Sequence, residues 1–408
     1  MPKLDRRTLL AAGAATLAAP ALAQNRPDTI VVGAGVFGAW TAEMLRRRGE
    51  KVLLLDAWAP AHARASSGGE SRLTRAGYGA DAVYTRMARD SLPEWKSLSA
   101  ASGLPIFHET GVLFFAAKAD AYFRDSLRVN RELGLPIEEM DGAAMQRRWP
   151  QIDFTGISIG LLEPGFGALM ARRSVETLVA RFVKAGGAYR QAAVAPPAEG
   201  SGALAEIVTT TGERLSAARF VFACGPWLPK LFPALLGKRI FPTRQEVFFF
   251  RPPAGDGRFG ASALPGWADF NGDDVYYGFP DLEGRGFKVA HDVHGPPIDP
   301  DEGDRTASAD GLIRVRAFMA RRFPGLANAP VNEMRVCQYE NSSNGDLLID
   351  VHPARPNLLL VGAGSGHGFK HGPMVGKYAA DRLLGALNSA EPRFSLATKA
   401  EVQARSVH

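Results

Sequence analysis

The chain has 408 residues, enough for two domains that each bury a core. Its composition, 46% apolar and 22% charged, excludes wholesale disorder, and a mild net charge of +6 without a basic stripe interleaved with aromatics gives no footprint for nucleic acid. Two cysteines, Cys224 and Cys337, exclude a disulfide scaffold and a cysteine-rich metal site, and no apolar run past the leader is long enough to span a membrane.

Residues 1–23 read as an export signal rather than part of the fold. Arg6-Arg7 precede Thr8-Leu9-Leu10 and an alanine-rich apolar run to Ala19. Pro20 breaks the run, and Ala21-Leu22-Ala23 is a small-residue cleavage pattern before Gln24. The paired arginines suit a twin-arginine signal, although Asp5 and Leu9 depart from the usual flanking residues. A general secretory signal is the rival reading, and a membrane anchor needs a longer run.

A short apolar strand at 30–32 then runs into Gly33-Ala34-Gly35-Val36-Phe37-Gly38. A helix follows, with Trp40, Met44 and Leu45 at helical spacing and Gly49 as its stop. A second apolar strand, 52–55, ends at Asp56. This is a βαβ dinucleotide fingerprint in its expected order. Gly33 permits the tight turn, and Gly35 lets the backbone approach a pyrophosphate at the helix N-terminus. Gly38 lets helix and strand pack closely. Asp56 stands where a carboxylate takes ribose hydroxyls. These residues leave NAD and FAD both open.

Residues 66–79 (SSGGESRLTRAGYG) predict a polar, glycine-rich loop near the ligand. A helix carrying Met87, Leu92, Trp95 and Leu98 follows, then a strand at 111–115, a helix at 121–133 and a turn at Glu163-Pro164. Ser174 is expected to cap a helix running to Ala185, with Val175, Leu178, Val179 and Phe182 as its apolar face and Gly186-Gly187 as its end. Residues 208–211 and 214–215 read as a hairpin around Gly212, and 220–223 as a buried strand. The pattern then changes to aromatic strands at 245–251, 275–277 and 287–292 and one amphipathic helix at 308–323, which suggests a separate mixed sheet. An apolar strand at 358–361, a glycine loop and a helix at 373–384 close the chain. That unit brings both chain ends into the dinucleotide domain.

The most specific signal lies near the end. Cys337-Gln338-Tyr339, then 348–353 (LIDVHP), then 364–370 (GSGHGFK) resembles the C-terminal part of the monomeric sarcosine oxidase and N-methyltryptophan oxidase family. These are FAD enzymes of the D-amino-acid oxidase superfamily. The segments 69–79, 110–113 (TGVL) and 276–280 (YYGFP) and Lys288 follow the same order, and the match covers most of residues 27–395. The resemblance implies an α/β fold. A Rossmann-like FAD domain of the glutathione-reductase type spans 27–106, 168–242 and 334–395. An α+β substrate domain built on a mixed sheet spans 107–167 and 243–333.

The same resemblance assigns roles. Cys337 would carry the flavin through a thioether to its 8α-methyl carbon; read from residues alone, a buried apolar cysteine is the first reading, and half of a Cys224–Cys337 disulfide in an oxidising periplasm is a further one. Gly33, Gly35, Val36, Phe37, Gly38, Asp56, Arg64, Ser71, Arg72, Gly364, Gly366, Gly368 and Lys370 match cofactor positions. Arg75 and Lys370 match the pair that holds a substrate carboxylate, which suits a guanidinium fork and an ammonium point charge. Tyr277 and Tyr339 match pocket-lining tyrosines. Arg72 matches an arginine beside the flavin, and Lys288 a lysine that promotes reaction with oxygen. His367 and Cys224 receive no catalytic role.

One position departs from the family. Four residues after Lys288 the relatives carry a histidine on the amine side of the substrate, and this chain has Asp292. Strand alternation puts Lys288 and Asp292 on one face and His291 on the other. An aspartate there favours a cationic amine or a hydroxyl-bearing substrate. The expected protein is therefore a periplasmic, monomeric FAD amine oxidase without a metal. It takes a secondary or N-substituted amino acid or related amine to an imine that hydrolyses, and it reduces O2 to hydrogen peroxide. Taking up flavin before export requires crossing the membrane folded, which favours the twin-arginine machinery. The alternatives are a dehydrogenase serving a quinone or periplasmic carrier, and a flavin-bound protein that has lost turnover.

Overall fold

The structure, a computed structural model, describes residues 26–271, 274–293 and 295–404, so the export signal read at 1–23 lies outside the described residues. Two large sheets organise the chain. The first has six strands in the order Leu348–Val351, Leu358–Gly362, Arg219–Phe222, Thr29–Val32, Val52–Asp56 and Ala188–Gln191. Its pairings are parallel except that of Leu348–Val351 with Leu358–Gly362. The central strands are apolar because both faces are covered. The helices Val36–Arg47 and Gly372–Leu383 pack on one of those faces, around the fully buried Trp40. The strand Thr29–Val32 and the strand Leu358–Gly362, from early and late in the described residues, thus share one sheet.

The second sheet has eight strands in the order Val331–Ser342, Ile240–Phe250, Phe287–His291, Asp274–Phe279, Gly266–Asn271, Val112–Ala116, Ile159–Glu163 and Glu138–Met140. It is mixed, with Gly266–Asn271 parallel to Val112–Ala116 and the other pairings antiparallel. The helix Ala309–Arg322 covers it, capped by the Ser308 side chain. Phe318 from that helix stacks on Tyr276 with ring centroids 4.1 Å apart, within a core built on Trp267, Phe287 and Phe323. A buried ion pair, Arg322 Nε to Asp269 Oδ2 at 2.7 Å, ties helix to sheet. A small third sheet joins Ser71–Thr74, Gly167–Met170 and Phe107–His108.

Several expectations need correction. The predicted loop at 66–79 contains the strand Ser71–Thr74, whose polar sequence hides its pairing with Gly167–Met170. The helix expected to start at Ser174 begins at Ala171, and the Ser174 hydroxyl donates to Ala171 O at 2.8 Å instead of capping. The domain boundary expected at 333/334 falls inside Val331–Ser342. That strand pairs with Ile240–Phe250 over its length, so Cys337 and Tyr339 stand on the second sheet. The boundaries at 242/243 and 167/168 likewise cut strands. Among the described residues no helix is long and apolar enough to cross a membrane.

Candidate active site

A cavity of about 420 Å³ opens between the six-stranded sheet and Val331–Ser342. At one end lies the first glycine turn. Gly33 has φ +103°, and a Cβ there would stand 2.4 Å from Ala223 O; a Cβ on Gly38 would stand 1.8 Å from Gly33 O. Neither position admits a side chain, so this turn is set by sterics. Asp56, at the tip of the second strand, accepts from Ala34 N at 2.8 Å and Trp58 N at 3.0 Å. Burial pushes its carboxyl above the usual range despite those bonds. The second glycine loop closes the opposite wall. A Cβ on Gly366 would meet the Tyr339 ring at 2.7 Å, and one on Gly368 would meet Phe37 Cζ at 2.7 Å.

These features fit a dinucleotide. The walls are cleared of side chains where a ligand backbone needs close approach, and a helix N-terminus and the Asp56 carboxylate stand at one end. Gly33, Gly35, Val36, Phe37, Asp56, Arg72, Cys337, Tyr339, Gly364, Gly366 and Gly368 all line this cavity. Gly38 supports it from beneath. Arg64 sits at the rim, donating to Asp301 O at 3.1 Å and lying 5.8 Å from the Trp58 ring centroid, while its carbonyl accepts from Gln338 Nε2 at 2.6 Å. Ser71 contributes its carbonyl rather than lining the cavity.

Cations gather at the Cys337 end. Arg72 donates to Cys337 Sγ at 3.3 Å, to Ser66 O at 2.6 Å and to Ser71 O at 2.8 Å. The Ser71 carbonyl also accepts from Lys288 Nζ at 3.2 Å. Lys288 is 2% exposed, and burial, then the Arg72 charge, lowers its pKa to about 7. Both cysteines are free, which removes the disulfide reading. Cys224 Sγ faces Val32 O at 3.4 Å, and burial, then Asp56, pushes its thiol well above the usual range. A thiol held in that form is no nucleophile.

Arg75, Lys370, Tyr277 and Asp292 stand outside the wall of this cavity. Arg75 lies 4.2 Å and Lys370 Nζ 5.1 Å from the Tyr78 ring centroid. Lys370 Nζ donates to Tyr78 Oη and to His367 O, each at 2.7 Å. Burial, then the Arg75 charge, holds the Lys370 pKa well below the usual lysine range. Tyr339 donates to Asp292 Oδ1 at 2.9 Å. Burial, then the Asp292 charge, raises the pKa of both Tyr277 and Tyr339. His291 turns the other way, stacking on Tyr276 at 4.5 Å. The strand expected at 287–292 ends at His291, so Asp292 is the first residue beyond it and is held toward the site by Tyr339.

Three further polar groups belong to this region. At Glu163, where the sequence predicts a turn, a fully buried carboxyl accepts from Ala76 N at 2.8 Å, and burial raises its pKa to about 7. Glu340 also lines the cavity. Burial moves its pKa to about 8 against hydrogen bonds from Ala363 N and Gly364 N. Tyr78 joins Lys370 to two histidines. Only the apolar company of Glu163 in ISIGLLEP could have marked it from sequence, since an acid inside such a run is a candidate for burial.

The family described as FAD dependent oxidoreductase, DAO, matches residues 28–382. Monomeric sarcosine oxidase of Bacillus sp. (strain B-0618) is 30% identical over 373 residues, 88% of this chain and 92% of that protein. N-methyl-L-tryptophan oxidase of Salmonella arizonae is 31% identical over 366 residues, 88% of this chain and 94% of that protein. Among solved structures, L-proline dehydrogenase from P. horikoshii superposes with a TM-score of 0.79 at 18% identity, covering 91% of this chain and 97% of that one. A fructosyl peptide oxidase mutant gives 0.78 at 20% identity, covering 91% and 94%. At those identities the superpositions speak for the fold alone. With the profile spanning nearly the whole described chain, this protein belongs to the DAO family of FAD dependent oxidoreductases.

Proposed function

We propose that the protein oxidises a secondary or N-substituted amino acid, or a related amine, at the carbon next to nitrogen. The imine hydrolyses to a carbonyl compound and a smaller amine, and O2 leaves as hydrogen peroxide. When bound, FAD supplies the hydride acceptor and the route of electrons to oxygen. Gly33, Gly35 and Asp56 would hold its adenosine diphosphate end, and Cys337 would carry the flavin covalently. Arg72 would favour negative charge on the reduced ring, and Lys288 would assist oxygen reduction.

The observation that carries this reading is the Arg75–Lys370 pair flanking Tyr78. Arg75 and the buried Lys370 amine, whose pKa burial and Arg75 depress, face the Glu163 and Asp292 carboxylates, and a further anion bound between them would restore the charge on Lys370. A substrate carboxylate is that anion, bound by a fork and a point charge that fix the C–H bond to be broken. Asp292, tied to Tyr339, would face the amine side and select a cationic or hydroxyl-bearing substituent. The Arg6-Arg7 leader supports export of the folded protein to the periplasm by the twin-arginine machinery.

The test is anaerobic mixing with N-methyl, cyclic and sugar-modified amino acids, followed by a peroxide-coupled assay in air. Bleaching of the flavin by one of these classes, with peroxide formed in air, is the expected result. A flavin that no amine bleaches would refute the reading; bleaching without peroxide would move the protein to the dehydrogenases.

A further inference from the structure

An ammonium has three hydrogens to donate, and that of Lys288 is buried. Among the described residues its hydrogen bond goes to Ser71 O at 3.2 Å, an acceptor it shares with Arg72. Its other close neighbours are the rings of Phe279 and Tyr277, whose centroids lie 5.0 and 5.5 Å from Nζ. A buried cation held this way calls for a further polar partner.

A second, small cavity supplies the place for one. It measures about 10 Å³, the size of a single water, and Lys288, Ser71 and Glu70 line it together with Met170, Phe249 and Phe279. It shares no lining residue with the dinucleotide cavity. Glu70 is the hub of a charge cluster. Its Oε1 accepts from Arg285 at 2.5 Å and from Arg335 at 2.6 Å, with Arg172 at 3.8 Å. Arg335 also pairs with Glu333 at 3.2 Å. Burial alone would raise the Glu70 carboxyl, but the charges of Arg285, Arg335 and Arg172 outweigh it and hold the group below its usual range.

We propose that Glu70 is a positioning residue for Lys288: one water in this cavity accepts from Nζ and donates to the Glu70 carboxylate, and the bridge keeps the ammonium charged for the oxygen half-reaction. The inference rests on the oxygen role given to Lys288 above. A bridging water lets a carboxylate support a buried ammonium without lying against it. The arginines keep Glu70 negative and fix where it stands, so the support is built in advance.

The groups facing Lys288 divide by sign. Burial and the charges of Arg72 and Arg335 act against its ammonium, and Cys337 and Glu70 favour it. Tyr277 faces it from the neighbouring strand. Arg335 and Glu70 thus stand on opposite sides of the balance although they pair with each other. Removing one or the other moves Lys288 in opposite directions, which damage to a shared cluster would not do.

The test is the pH profile of flavin reoxidation in the holoenzyme, reduced with dithionite rather than an amine and mixed with oxygen in a stopped-flow instrument. Wild type is expected to slow as pH rises and Lys288 loses its proton. Glu70→Gln should move the midpoint of that fall at least about one unit lower, which is about tenfold slower reoxidation on the alkaline side. Arg335→Met should move it higher, and Glu70→Asp, which keeps the charge, should stay near wild type. The flavin spectrum reports whether each variant folds. Unmoved midpoints, shifts of one sign in Glu70→Gln and Arg335→Met, or a dry cavity in a crystal structure of the holoenzyme overturns the inference. Lys288→Met separates it from the reading beneath it. Reoxidation as fast as wild type in that variant refutes the oxygen role itself. A slow, pH-independent rate there, beside an unmoved Glu70→Gln midpoint, refutes the part given to Glu70 alone.

Discussion

Lys288 sets up a conflict between stability and chemistry that can be measured. Its ammonium is buried, its hydrogen bond goes to a neutral carbonyl, Ser71 O at 3.2 Å, and its pKa falls from the usual 10.5 to about 7. Each pKa unit is worth about 1.4 kcal/mol, so the charged lysine costs the fold about 5 kcal/mol below pH 7. The sign follows from the depressed pKa. Above pH 10.5 the lysine is neutral folded or unfolded and the penalty is absent; it grows as pH falls toward 7. Lys288→Met removes the penalty. It also loses the hydrogen bond and ring contacts to Tyr277 and Phe279, together about 2 kcal/mol. The variant should therefore be more stable than wild type by about 3 kcal/mol at pH 6, and less stable near pH 10. Urea unfolding at the two pH values measures the crossover. A stability difference that does not change with pH would refute the burial argument. Stopped-flow measurements on the same variant should show reoxidation slowed more than reduction, and equal slowing of both would remove the proposed oxygen role.

Three other outcomes are expected. Flavin should remain with acid-precipitated wild-type protein and appear in the supernatant of Cys337→Ser; free flavin from wild type would end the covalent proposal. Glu340 has a folded pKa raised to about 8, so its contribution is full below pH 4.5 and is lost as pH rises through 8; Glu340→Gln should gain several kcal/mol on wild type across that range, measured by denaturant unfolding. Asp292→Asn should raise KM at least about tenfold for a substrate whose amine side carries a cation or hydroxyl, through loss of a charge-assisted hydrogen bond, with little change for a plain N-methyl amino acid. An equal effect on both classes would remove Asp292 from specificity.

What the sequence makes legible, and what it does not, follows from how each feature is enforced. The Gly33–Asp56 unit is readable because each glycine answers a local steric demand a few residues away. The strand Val331–Ser342 is harder, since its burial alternates among polar residues and comes from pairing with Ile240–Phe250. Arg72 and Cys337 stand 265 positions apart and meet at 3.3 Å. No spacing rule connects them, and only resemblance to a family brings them together on paper. Tyr78 and His371, 293 positions apart, lack even that link. Glu163 is hidden for another reason: its environment is assembled from Arg75, Ala76 and Gly77, which the sequence places in a predicted loop.

The six-stranded sheet also has a temporal meaning. Its central strand, Thr29–Val32, lies beside Arg219–Phe222, which in turn pairs with Leu358–Gly362. During synthesis the first strand emerges more than 300 residues before the last glycine loop that walls the cavity. At translation speeds of roughly 5–20 residues per second, the nascent chain waits many seconds with its cofactor site open on one side. Flavin capture is then a late, post-translational event, and any truncated product stopping short of residue 358 lacks the wall that would retain it.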